Sequence, residues 1–290
     1  MGSLFGGYLS QQNEVWLVDI DQDKIDKISR NGITIVEQKK ERILKPKAVT
    51  DTRNLGQMDL IIVFVKSMYS REALKGNKHL IGDNTYVMTL QNGAGHEEIL
   101  LDFVSRDHLI IGTTEHNSSI IKNGHIHHGG GGVTRVGLIG KSSRKLQSIA
   151  DNFSNCGFDT IVSDNIKKQI WRKLFVNASA SVLTAALQVK LGYILDNEHA
   201  WVLAKCLIEE TVAVANADGM DFESEDIIED LKELLDNARD GYTSIYADIQ
   251  NGVRTEVDTI SGTVVRKAKQ HGISVPNCEF VVELIHAIED

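Results

Sequence analysis

Cysteine is scarce in this chain: Cys156, Cys206 and Cys278 are the only three in 290 residues. They are far apart, odd in number and form no C-x-x-C pair, which argues against a structural zinc site and against a disulfide framework. A reducing cytosol is the simplest compartment, so a cytoplasmic protein is expected. Long apolar runs are also missing. No stretch reaches the ~18 apolar residues that a membrane span requires. Met1 to Ser10 lacks the basic segment and apolar core of an export signal. Positive charge is short as well, with 31 Lys and Arg against 40 Asp and Glu, a formal net charge of -9 and no lysine-rich tract. That argues against nucleic acid as a partner. What is present is ordinary for a globular protein: 42% hydrophobic and 24% charged residues, in a length sufficient for two domains.

The two halves follow different patterns. In the first, strand-like and helix-like segments alternate. Glu14 to Asp19 reads as a strand and Gln22 to Asn31 as a helix. Asp59 to Val65 is a continuous apolar run, the mark of a strand buried on both faces. Ser70 to Leu80 is helix-like, Thr85 to Leu90 a strand, His96 to Phe103 helical and Leu109 to Thr113 a strand. Such alternation predicts a parallel sheet flanked by helices. Beyond about Ile161, glycine thins out and proline is sparse. Ile166, Ile170, Trp171, Leu174 and Phe175 recur at helical spacing. Trp201 to Ala217, Ile227 to Ala238, Thr255 to Gln270 and Asn277 to Ile288 are further helix-like stretches. The boundary falls near Val162 to Asn165.

Several motifs could carry chemistry. Gly2, Gly6 and Gly7 either start a helix with small residues for packing or close a dinucleotide-binding turn. Asp19 ends a strand, where a carboxylate can accept ribose hydroxyls and repel a 2′-phosphate, which leans towards NAD. It can equally be a turn acid or, like Asp21, a helix N-cap. Lys66 and the Gln91-Asn92-Gly93 step follow neighbouring strands, where ligands bind in open α/β sheets. His116, His125, His127 and His128 lack the i, i+4 spacing of a metal helix, and Gly129 to Gly132 suggest a flexible turn between extended segments, so no metal is expected. Lys173 and Asn177 are four apart and share a helix face. A lysine there could protonate a carbonyl oxygen while the amide orients it; a solvated face is the plain alternative. Ser244 and Asp248 form another i, i+4 pair, and Arg254-Thr255-Glu256-Val257-Asp258 follows.

Taken in order, these pieces resemble the ketopantoate reductase (2-dehydropantoate 2-reductase) family over nearly the whole chain. The markers are Met1 to Leu9, Val63-Phe64-Val65-Lys66, Leu90 to Gly93, Trp171 to Leu174 with Asn177, Ser244 with Asp248, and Gly252 to Asp258. The resemblance implies an α/β, Rossmann-type dinucleotide-binding domain over 1–163, an all-helical substrate-binding domain over 164–290, and a cleft between them. It implies reduction of a 2-oxo acid with NAD(P)H in pantothenate, hence coenzyme A, synthesis. Lys173 matches the general acid and Glu256 the acid that orients a substrate hydroxyl. Asn177, Ser181, Ser244, Asp248 and Asn92 fall on the substrate side. Gly2, Ser3, Asp19, Lys66, Asn92 and Glu256 fall on the cofactor side. A small-molecule 2-oxo acid is the implied partner, and a homodimer stays open.

Three departures qualify that expectation. Met1-Gly2 aligns with the end of the glycine fingerprint, so the first strand is expected to be missing, from a start placed too far downstream or a real shortening. Its loss would leave two strands without a neighbour. Ser181 and Leu191 stand where the family often has asparagine, which fits a branched or aromatic 2-oxo acid. Asp19 and Asp21 replace the basic residue common in NADP-using members. The alternatives are therefore an NAD-dependent D-2-hydroxyacid dehydrogenase and a non-catalytic member of the family.

Overall fold

A computed structural model describes every residue except Lys39, Ser142 and Asp290. The chain opens with α1 (Gly2–Leu9), β1 (Trp16–Val18) and α2 (Gln22–Asn31), then β2 (Ile33–Glu37), β3 (Lys40–Leu44) and β4 (Lys47–Val49). The alternation continues through β5 (Leu60–Val63), α3 (Ser70–Gly76), β6 (Tyr86–Thr89), α4 (His96–Leu100) and β7 (Leu109–Thr114). A hairpin of β8 (Asn117–Lys122) and β9 (His125–Gly130) precedes β10 (Thr134–Leu138), α5 (Arg144–Asn155) and β11 (Thr160–Val162). Thereafter the described residues carry helices and no strand: α6 (Ile166–Val176), α7 (Val182–Leu187), α8 (Leu191–Asp196), α9 (Glu198–Ala217), α10 (Ser224–Asn237), α11 (Ser244–Gln250), α12 (Ser261–His271) and α13 (Pro276–Glu289). None of these helices is long and apolar enough to cross a membrane.

Two compact units result, Met1–Gln91 with Glu97–Ile166, and Asn92–His96 with Lys167–Asp290. In the first, β5, β6 and β7 run parallel in a sheet ordered β11-β10-β7-β6-β5. β1 pairs in parallel with β4, in a separate two-stranded sheet. Among the described residues β1 pairs with β4 and β5 with β6, each on one side. This corrects the expectation that Asp59 to Val65 is buried on both faces. Leu60, Ile61 and Ile62 are only half-buried because β5 is an edge.

α1 packs through its glycines on β1 and β2. A side chain at Gly6 would run into Leu17, and one at Gly7 would press on Ile35 at 3.2 Å. The packing reading of those two glycines therefore holds. Phe5 stacks on Phe158 with ring centroids 3.9 Å apart, at the centre of the unit's core.

The histidine–glycine run lies between extended segments as expected, but its first two glycines belong to the strand and not to the turn. His125 to Gly130 is a strand, β9, paired with β2 and β8 in a second sheet ordered β3-β2-β9-β8. A Cβ at Gly129 would displace the side-chain oxygen of Asn117 in β8. His116 and His128 are buried, and Nδ1 of the first shares a hydrogen bond with Nε2 of the second at 3.0 Å. His128 Nδ1 lies 3.1 Å from Glu37 Oε1 without making a hydrogen bond to it. The Tyr8 hydroxyl donates to the other Glu37 oxygen at 3.4 Å.

The second unit is a helical bundle. Its core joins Trp171, Leu174 and Phe175 of α6 to Leu207, Ile208 and Val212 of α9, and to Val264 and Ala268 of α12. These are the apolar stripes that the sequence spaces three and four apart.

Candidate active site

The residues singled out from the sequence divide between the units. Gly2, Ser3, Asp19 and Lys66 lie in the first. Asn92, Lys173, Asn177, Ser181, Ser244, Asp248 and Glu256 lie in the second.

In the first unit Asp19 follows β1. Its carboxylate accepts the Asp21 N–H at 3.1 Å and pairs with the Lys24 ammonium. Burial pushes the Asp19 carboxyl up, but these bonds outweigh it and hold the group below the usual carboxylate range. Asp21, not Asp19, caps α2, accepting the Lys24 N–H at 3.0 Å. Asp19 is thus an anion at a strand end with no capping duty. Gly2 opens α1, where an added Cβ would stand 3.4 Å from Phe64 Cβ, and the half-buried Ser3 follows it. Lys66 lies just beyond β5, at its carboxyl end. Gln91, just beyond β6, donates from Nε2 to the Val65 carbonyl and, at 2.9 Å, to Ser70 Oγ. The two strand ends are therefore bonded to one another.

In the second unit Lys173, Asn177 and Ser181 follow one another at four-residue intervals. Asn177–Ser181 winds as a π-helical turn between α6 and α7, a rare geometry that concentrates at functional sites. Ser181 Oγ donates to Asn177 Oδ1 at 3.4 Å. Thr184 Oγ1 donates to the Ser181 carbonyl at 3.0 Å and meets Thr243 Oγ1 at 3.1 Å. Thr243 in turn caps α11 by accepting the Tyr246 N–H at 3.3 Å. Ser244 opens α11 and Asp248 lies one turn on, on the same face. Two threonines thus tie the Asn177–Ser181 turn to the start of the Ser244 helix. Below Lys173, Trp171 Nε1 donates to Asp218 Oδ2 at 3.3 Å, and Lys267 pairs with the same carboxylate at 2.7 Å. That fixes the rotation of α6.

The stretch from Thr255 was expected to be helical, and its first part is not. Thr255 and Glu256 are irregular, Val257–Thr259 is a single 3₁₀ turn, and α12 begins at Ser261. Side chains compete for the backbone there. Thr255 Oγ1 accepts the Val257 N–H at 3.2 Å, and Glu289 Oε1 accepts the Thr255 N–H at 2.7 Å. Glu256 is half-buried in this turn. The Asn92 loop docks on it. The Thr259 carbonyl accepts the Ala94 N–H at 2.9 Å, and Thr263 Oγ1 donates to the Ala94 carbonyl at 3.0 Å. Gly93 has φ +94°, and a Cβ there would strike the Thr259 carbonyl oxygen. Asn92 and Glu256 are therefore brought together through Thr259.

Leu191, which stands at a position of interest for substrate choice, is buried in the unit's core. The threonines that organise the site, Thr184, Thr243, Thr259 and Thr263, were missed. Only Thr243 left a local signal, as an N-cap residue before Ser244.

Known proteins give this geometry a context. The family model described as ketopantoate reductase PanE/ApbA matches residues 1–141, and that of its C-terminal part matches residues 165–289. A 2-dehydropantoate 2-reductase of Streptococcus pyogenes serotype M1 is 30% identical, over 100% of this chain and 95% of its own length. One from Pyrococcus abyssi (strain GE5 / Orsay) is 32% identical over 95% of this chain and 90% of its own length. Among solved structures, D-mandelate dehydrogenase with NADH and anilino(oxo)acetate superposes with a TM-score of 0.94. It is 32% identical, over 100% of this chain and 96% of that one. With a strand-and-helix unit, a helical unit and both halves of the family pattern in order, the chain belongs to the ketopantoate reductase family.

Proposed function

We propose that this chain reduces 2-dehydropantoate to pantoate with a nicotinamide dinucleotide, and that Lys173 supplies the proton. The observation carrying the reading is the run Lys173–Asn177–Ser181 through a π-helical turn, bonded to the head of the Ser244 helix. It sets an ammonium, an amide and hydroxyls along one helical line. When bound, the nicotinamide supplies a hydride to the 2-oxo carbon. Lys173 stabilises the developing alkoxide and gives it a proton, so that a hydroxyl replaces the carbonyl. Asn177 and Ser181 orient the oxo acid, Ser244 and Asp248 bind its polar end, and Glu256 accepts from its hydroxyl. Asn92, docked on the Glu256 turn, serves both substrate and cofactor.

The residues of the first unit fit such a cofactor on the adenosine side. Asp19 is an anion at a strand end and does not cap α2, so it can accept from ribose hydroxyls and would repel a 2′-phosphate. Of a phosphate-cradling turn the chain carries the closing glycine, Gly2, at the amino end of α1. NADH is therefore proposed over NADPH. Asp19→Ala is expected to cut the NADH-over-NADPH ratio of kcat/KM by about tenfold, the scale of a lost hydrogen bond to a charged group. An unchanged ratio would remove Asp19 from the cofactor site.

A second reading has its own support. Ser181 in place of an amide, the acid at Asp19 and the likeness to D-mandelate dehydrogenase favour an NAD-dependent D-2-hydroxyacid dehydrogenase for branched or aromatic 2-oxo acids. Steady-state rates with ketopantoate, 2-oxoisovalerate, 2-oxoisocaproate and benzoylformate separate the two. A preference for ketopantoate of less than about tenfold, the discrimination that a missing hydroxyl contact alone should exceed, sinks the first. No thermal shift with NADH or NADPH and no turnover would instead leave a non-catalytic family member.

A further inference from the structure

Glu256 sits in a turn whose backbone is held from two directions. Its carbonyl accepts the N–H groups of Thr259 and Ile260 at 3.1 and 3.2 Å, and Thr259 Oγ1 at 3.2 Å. On the other side the last turn of α13 intervenes. Glu289, its side chain 9% exposed, takes the Thr255 N–H with Oε1 and faces His286 Nδ1 with Oε2 at 2.9 Å. His286 Nε2 reaches Asp258 Oδ1 at 3.1 Å. Thr255, Glu289, His286 and Asp258 thus form a chain of contacts that grips the residue before Glu256 and the residue two after it.

We propose that His286 and Glu289 are positioning residues for Glu256, a clamp at the end of α13 that fixes the backbone from which the Glu256 carboxylate reaches the substrate hydroxyl. This rests on the reading of Glu256 as the hydroxyl ligand. The chemistry of the pair supports it. Both ring nitrogens of His286 face carboxylates, and only the imidazolium can donate from both. Burial pulls His286 down, but its bonds to Glu289 and Asp258 outweigh that and raise it above the ordinary histidine value. Burial pushes Glu289 up, and the bonds from Thr255 and His286 more than reverse it. Other charges at this place include Arg254, 3.5 Å from Asp258, and Arg266, whose Nη1 donates to the Asp258 carbonyl at 2.8 Å. The clamp is therefore complete where His286 is charged and its two carboxylates are ionised, and it loosens as pH rises through the raised value of His286.

The test uses the full chain with Glu289→Ala, Glu289→Gln and His286→Gln. KM for the 2-oxo acid is expected to rise about tenfold in Glu289→Ala with kcat within about threefold, the pattern of lost uniform binding. Glu289→Gln, which still accepts the Thr255 N–H and preserves the fold, should recover much of it. Wild-type KM should climb with pH above the ordinary histidine value, and His286→Gln should flatten that climb. Hydrogen exchange of the Thr255 amide should quicken in Glu289→Ala. Unchanged KM in both Glu289 variants, or a pH climb identical in His286→Gln, overturns the proposal. If the wild type reduces no 2-oxo acid, the functional reading fails by itself. The exchange rate then still decides the clamp: faster exchange upholds it as a backbone device, and unchanged exchange rejects it.

Discussion

In the first unit, Asp19, Lys66 and Gln91 sit where strands end; in the second, Lys173, Asn177, Ser181 and Ser244 lie along helices joined by threonine hydroxyls. A residue at a strand end is placed by the sheet behind it. Here, among the described residues, β1 and β5 are each paired on one side only. A residue on a helix is placed by its own turn and by the neighbours one turn away. The two sets should therefore respond differently to local substitution. The helical set should carry the largest kinetic effects, and the strand-end set should shift cofactor choice without touching the chemistry.

Lys173→Ala is the sharpest way to break that contrast. It should lower kcat/KM by ~10²-fold or more, the usual scale for a lost acid–base group, while NADH binding by the first unit persists in a thermal-shift titration. Unchanged kinetics would remove the proton donor from the mechanism. A smaller but structural effect is expected at Gly93. Its φ is +94° and the Thr259 carbonyl fills the place of a side chain. Gly93→Ala should cost roughly 2 kcal/mol or more, the scale of backbone strain plus a displaced contact, and raise KM by undocking Asn92 from the Glu256 turn. Urea unfolding and steady-state kinetics on one preparation would show both. A variant with wild-type stability and KM would mean that the docking has no role.

The sequence was most legible where periodicity and caps agree. Gln22–Asn31 is helical as expected, because Ile25 and Ile28 face inward and Asp21 caps the first turn. α6 and α13 follow their apolar stripes, and β5, β6 and β7 their apolar runs. The second sheet was not legible. Lys40–Leu44 (K-E-R-I-L) and Asn117–Lys122 (N-S-S-I-I-K) are mostly exposed, so no alternation marks them. They are strands because β2 and β9 pair with them, and strand preference depends on such context. The same division runs through the candidate site. The i, i+4 spacing of Lys173 and Asn177 can be read directly. That Asn92–His96 belongs with the helical unit cannot, because the Thr259 carbonyl that captures Ala94 lies far along the chain. The clamp from Glu289 is equally remote from Thr255.

The subtlest expected difference between the units is the sign of their response to pH. In the first, His116 is buried beside His128, with Glu37, Tyr8 and Glu115 nearby. Burial, then the neighbouring His128, lowers its pKa. A histidine lowered on folding binds its proton less well when folded. Its contribution is present above the ordinary value near ~6.5 and is lost as pH falls below it. In the second unit, His286 is raised by Glu289 and Asp258. Its contribution is present below ~6.5 and is lost as pH rises through the raised value. Acidification should therefore loosen β8 and β9 around His116 and His128 while it tightens the end of α13 on the Glu256 turn. Hydrogen exchange mapped by segment at about pH 5, 7 and 9 can read both at once. Protection in the two segments moving in the same direction would show that these histidines do not govern them. His116→Phe should abolish the acid-side loss in the first unit and leave the second unit's response unchanged.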